Sequence, residues 1–165
     1  MYYVVDKYRI LVESESPVNM SDYPNCQLIQ GEKGVSLINF EIYEEKGQKR
    51  VRTIERDSVE LKIEVLNLEP VGDNMYEVKA GSNPIEIKAT MKGDPYLPPI
   101  LKLPNDYDKS KIEISCSRGK LSTRELNKDC NIVKWTPVDE NIDVVLVFGV
   151  LNFPPIQKVL TIRLI

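Results

Sequence analysis

Two apolar runs near the end of the chain constrain its fold more than any other feature. Ile142-Asp-Val-Val-Leu-Val-Phe-Gly-Val150 and Lys158-Val-Leu-Thr-Ile-Arg-Leu-Ile165 are rich in β-branched residues, and Pro154 and Pro155 stand between them. Runs of this length and composition, separated by a turn, read as two paired strands in the middle of a sandwich. A Trp-Thr-Pro corner, Trp135 to Pro137, leads into the first of them.

The segment upstream supplies strands to cover this pair. Val59-Glu-Leu-Lys-Ile-Glu-Val65 alternates strictly, with one face apolar and the other charged. Ile85 to Met91 and Lys111 to Ser117 repeat the pattern, and Met75 to Ala80 and Asn131 to Trp135 add two more candidates. Pro98 to Pro104 is bounded by prolines, which limits it to an edge strand or an extended connection. Ser122 to Lys128 is the best helix candidate, a short helical crossover. Short strands at this spacing predict an immunoglobulin-like β-sandwich over residues 58–165. Its core should bring Val144, Leu146, Phe148, Leu160, Ile162 and Leu164 against Leu61, Ile63, Ile85, Ile87, Ile112 and Ile114.

Residues 1–57 read as a separate, small β-rich module, so that the chain as a whole is all-β. Tyr2 to Val5 and Tyr8 to Val12 flank Asp6-Lys7 as a tight hairpin. Ser14 to Asn25 is crowded with turn formers and reads as a loop, and Gly31-Glu-Lys-Gly34 marks a further turn. Val35 to Tyr43 and Lys49 to Ile54 form a longer hairpin around Gly47. It is apolar on both faces, with Ile38, Phe40 and Ile42 on one and Val35 and Leu37 on the other, so one face calls for a cover.

Composition narrows the function. The 22 basic and 25 acidic side chains are intermixed and give a net charge of −3, so no basic field is available to hold a nucleic-acid backbone. The N-terminus lacks the pattern of a secretion signal and no apolar run reaches membrane-spanning length, which reads as a soluble chain made in the cytoplasm. There is no histidine, so the commonest general base and the usual activator of a serine or cysteine nucleophile are missing, and no enzymatic activity is expected. No cofactor or phosphate-loop motif is read, and Gly31-Glu-Lys-Gly34 lacks the required context. Asp106 with Asp108, and Asp139 with Asp143, space carboxylates as a calcium loop does, but without its glycine and closing glutamate; they read as ordinary loop acids, and no metal is expected. Cys26, Cys116 and Cys130 read as free thiols of a reducing compartment, with a Cys116–Cys130 bridge across a hairpin as the alternative.

Four segments carry a resemblance to a known domain type. Gly119-Lys-Leu-Ser-Thr, Asn131-Ile-Val-Lys-Trp-Thr-Pro137 and Ile142-Asp-Val-Val-Leu-Val-Phe resemble the Gly-x-Leu turn, Val-x-Trp-Thr-Pro strand end and following strand of bacterial and phage immunoglobulin-like domains. Ala80 to Ala89 resembles their second strand. The resemblance covers residues 59–165 and departs from the antibody pattern of two core cysteines flanking a tryptophan. It implies a bacteriophage virion structural protein, a capsid decoration, tail or collar component made in the host cytoplasm, whose N-terminal module attaches to capsid or tail proteins while the sandwich projects. Homo-oligomers could form in that setting. The alternative it implies is a bacterial surface adhesin or carbohydrate-binding module at the cell surface, with contact to a host glycan.

The residues expected to meet a partner lie in the first module. Tyr2, Tyr3, Tyr8, Tyr23 and Tyr43 place five of the eight tyrosines there, and tyrosine at a partly apolar surface suits recognition as well as it suits strand packing. Phe40 and the basic cluster with Arg50 and Arg52 complete the set. The cluster also reads as a solvated strand face balanced by Glu41, Glu44 and Glu55. Trp135 reads as a core anchor, with a sugar-stacking platform as the alternative.

Overall fold

The computed structural model describes residues 1–6, 9–37, 39–55, 59–97, 101–152 and 155–165. The chain divides into two compact units, residues 1–57 with 98–102, and residues 58–97 with 103–165. Almost all of its regular structure is β.

In the first unit β1 (Tyr2–Val5), β2 (Ile10–Ser14), β3 (Gln27–Gly31), β4 (Phe40–Glu45) and β5 (Gln48–Thr53) form one sheet in the order β2-β1-β3-β5-β4. All pairs are antiparallel except β3 with β5. Tyr3, Val5, Ile10, Ile29 and Val51 share a core, closed by Val35 from the loop after β3. Tyr3 anchors that loop: its hydroxyl donates to the Glu32 carbonyl and accepts the Val35 N–H at 3.2 Å. Gly31 makes the close approach possible, because a Cβ there would stand 2.8 Å from Val51 Cγ1.

Three expectations for this unit change. The second strand begins at Ile10, and the connection from Asp6 to Arg9 is closed by the Arg9 N–H donating to Asp6 Oδ1 at 2.8 Å; Lys7 and Tyr8 lie outside the described residues. A strand that the sequence did not announce, β3, occupies the centre of the sheet. The longer hairpin starts at Phe40, not Val35, and turns tightly at Lys46-Gly47, since Val35 leaves the ladder to cap the core.

The second unit contains β6 (Glu60–Val65), β7 (Met75–Val78), β8 (Ile85–Lys92), β9 (Ile112–Cys116), β10 (Lys120–Leu121), β11 (Glu125–Leu126), β12 (Ile132–Thr136), β13 (Asp143–Val150) and β14 (Ile156–Leu164). One sheet has the order β10-β12-β8-β6 and the other β11-β9-β13-β14-β7. Both contribute to one apolar core, so the unit is a β-sandwich. Every residue expected in that core is in it, with Ile85 only partly buried. β13 pairs with β14 along its whole length, from Asp143 with Arg163 to Val150 with Ile156, and the two fill the middle of their sheet.

Trp135 is fully buried, and its indole N–H donates to the Arg118 carbonyl at 2.9 Å. Residues 122–128 are not helical: Leu126 is buried and β11 pairs with β9, Leu126 opposite Ile112, so core packing overrides local helix preference. Residues 101–104 form no strand. Among the described residues no helix is long and apolar enough to cross a membrane.

Candidate partner-binding face

The first sheet has two unlike faces because side chains alternate along each strand. Tyr3, Ile29, Gly31 and Val51 mark the core face. On the other face a single row of ladder partners crosses all five strands: Ser14 on β2 stands opposite Tyr2 on β1, Tyr2 opposite Gln30 on β3, Gln30 opposite Arg50 on β5, and Arg50 opposite Tyr43 on β4. At the usual interstrand spacing the row is roughly 19 Å long. Beside it, Val4 stands between Val12 and Leu28 and is fully buried.

Beyond Arg50 the same face carries Arg52, opposite Glu41. Arg52 Nε lies 2.6 Å from Glu41 Oε1, and its guanidinium sits 4.2 Å from the centroid of the Tyr43 ring. Arg50 Nε lies 3.7 Å from Glu45 Oε2. These pairs are partly to well exposed, so each adds little to stability, roughly 0–1 kcal/mol. Their effect is to hold the arginines and the Tyr43 ring in place and to leave the face near neutral. Tyrosine and arginine flanked by fixed counter-charges is a composition suited to a protein partner.

The structure therefore sorts the expected contact residues. Tyr2, Tyr43, Arg50 and Arg52 share one face. Phe40 points the opposite way and packs against the core of the first unit. Tyr3 is 0% exposed and cannot touch a partner; the alternation that presents Tyr2 buries its neighbour. Tyr23 is half-buried and closes the short 3-10 turn Met20–Asp22, its N–H bonded to the Met20 carbonyl. Tyr8 lies outside the described residues. Gln30, the middle of the row, was not foreseen; the only cue is a strand-length gap between Asn25 and the Gly31–Gly34 turn.

The remaining candidates are dispersed. Trp135 offers no platform to a sugar, being fully buried. Asp108 accepts the N–H and hydroxyl of Ser110 at 2.9 and 2.6 Å, and these bonds hold its carboxyl below the usual range. Asp143 pairs with Arg163 at 3.2 Å. No three histidine, cysteine or carboxylate side chains gather as a metal site among the described residues. All three cysteines are free, and burial pushes the Cys116 thiol up.

Comparison with known proteins adds no relative: no family model, curated protein or solved structure matches the chain.

Proposed function

We propose that the protein is a non-enzymatic structural or accessory component of a virion, in which the first unit attaches to a capsid or tail protein and an immunoglobulin-like sandwich is displayed. The observation that carries the attachment reading is the row Tyr2–Gln30–Arg50–Tyr43 across the first sheet. The strand order supports the immunoglobulin-like reading. β6, β8, β12 and β10 fall in the order A-B-E-D, and β9, β13 and β14 in the order C-F-G. The virion setting rests on the resemblance of the Trp135 corner and its flanking strands to phage domains. The adhesin reading loses its most specific candidate with the burial of Trp135.

The test uses the full chain with Arg50→Glu and Tyr43→Ala together, expressed where it is naturally made. The unaltered chain should cofractionate with assembled particles, and the double variant should lose most of that association while keeping its fold. Retention on the particles by the double variant overturns the attachment face. Absence of the unaltered chain from any particle overturns the virion setting.

A further inference from the structure

Among the described residues, the last strand of the sandwich is only half covered. β14 runs from Ile156 to Leu164, but its outer neighbour β7 pairs with the second half alone, Met75 opposite Thr161 and Val78 opposite Leu164. The chain entering β7 does not extend the ladder, because Asn74 takes φ 51 and the Val71 N–H bonds to the Met75 carbonyl, which folds the backbone into a turn. The direction of the uncovered backbone groups follows from the bonds around them. Thr161 N–H donates to the Asn74 carbonyl on the β7 side, whereas Leu164 N–H donates to Ile142 on the opposite side. Successive amides in a strand point opposite ways, so the N–H and C=O groups of Gln157 and Val159 point out of the sheet edge.

The facing wall is β6, the edge strand of the other sheet, paired with β8 alone. Leu66 N–H donates to the Glu86 carbonyl, so the Leu61 backbone groups point away from β8. Between the two edges lies an open groove of about 730 Å³, with Glu60, Leu61 and Lys62 on one side and Asn74 and residues 156–159 on the other.

We propose that this groove accepts an extended segment of a partner protein, which adds a strand beside β14 in line with β7. Unpaired backbone donors and acceptors at strand spacing are matched by another extended polypeptide. Val159, 47% exposed, gives it an apolar contact on the outer face. Lys158 sets the chemistry of the inner face: it shares a face with its ladder partner Phe148 at the mouth of the sandwich, and among the described residues no carboxylate pairs with it. The incoming strand therefore carries a carboxylate level with Lys158 between small or β-branched residues. The same lysine argues against a second copy, since symmetric pairing of two such edges sets Lys158 against Lys158. An inward-pointing charge is also a recognised guard against indiscriminate edge pairing.

The probe is a synthetic heptapeptide of alternating threonine and valine with a central glutamate, titrated into the full chain. Hydrogen exchange should be fast at Gln157 and Val159 and slow at Leu160 and Ile162 in the free protein. Saturating peptide should slow Gln157 and Val159 at least about tenfold, since a ladder bond protects its amide. Lys158→Glu should weaken binding by about fivefold or more, and a central lysine in the peptide should restore it. Unchanged exchange at Gln157 and Val159 with peptide present overturns the proposal. So does protection of these amides by the protein's own dimer in the absence of peptide.

Discussion

Tyr2 and Tyr3 show how much a single step along a strand decides. Tyr2 lies on the face that carries Arg50 and Tyr43, whereas Tyr3 is fully buried with its hydroxyl bonded to Glu32 and Val35. Tyr3→Phe leaves the Glu32 carbonyl and Val35 N–H without their partner, and is expected to destabilise the first unit by about 1–3 kcal/mol. Tyr2→Phe should change stability by less than about 0.5 kcal/mol. Urea titrations of the two variants check the contrast, and equal effects would contradict the assignment of faces. In the sandwich a comparable constraint acts on Gly119, whose φ of +86 and position 2.6 Å from the Thr136 carbonyl, measured from a Cβ built on it, leave no room for a side chain beside the Trp135 indole. The Gly-x-Leu turn and the tryptophan corner singled out in the sequence are thus two halves of one packing contact.

At the scale of elements, most strands were legible, those with an alternating face most plainly, whereas β3, β10 and β11 were not. β6, β8, β9, β13 and β14 each bury one face against a common core, so period two is written into them. β3 offers only Leu28 and Ile29 between glutamines, and its place in the centre of the first sheet depends on partners distant in sequence. The row across that sheet was hidden for the same reason: the Gly47 hairpin sets Tyr43 opposite Arg50, but Tyr2 and Gln30 join them only through pairing of strands distant in sequence. The Gly47 turn was visible, but its type was not. Lys46 and Gly47 both take positive φ, 52 and 76 degrees, which is the geometry of a type I′ turn and suits asparagine better than lysine at the first position. Lys46→Asn is expected to raise stability by several tenths to about 1 kcal/mol, read as a higher urea midpoint at unchanged slope. A fall in the midpoint would show that the turn is held in another conformation.

For the whole molecule the two units differ greatly in what they bury. The first rests on Tyr3, Val5, Ile10, Ile29, Val35 and Val51, and the second on a cluster about three times larger that includes Trp135, the only tryptophan. A unit of about sixty residues with so small a core is marginal on its own. In urea, amide protection in β1 and β3 should therefore be lost at lower concentration than the change in Trp135 fluorescence, which reports the sandwich alone. Coincident transitions would mean that the units unfold as one. The parallel pairing of β7 with β14 has a further, mechanical consequence. A tensile load that enters the sandwich at Met75 and leaves at Leu164 drags these two strands past each other along their length. The bonds between them then bear the force together and not in succession, so the sandwich meets tension as a lap joint, not as a zip.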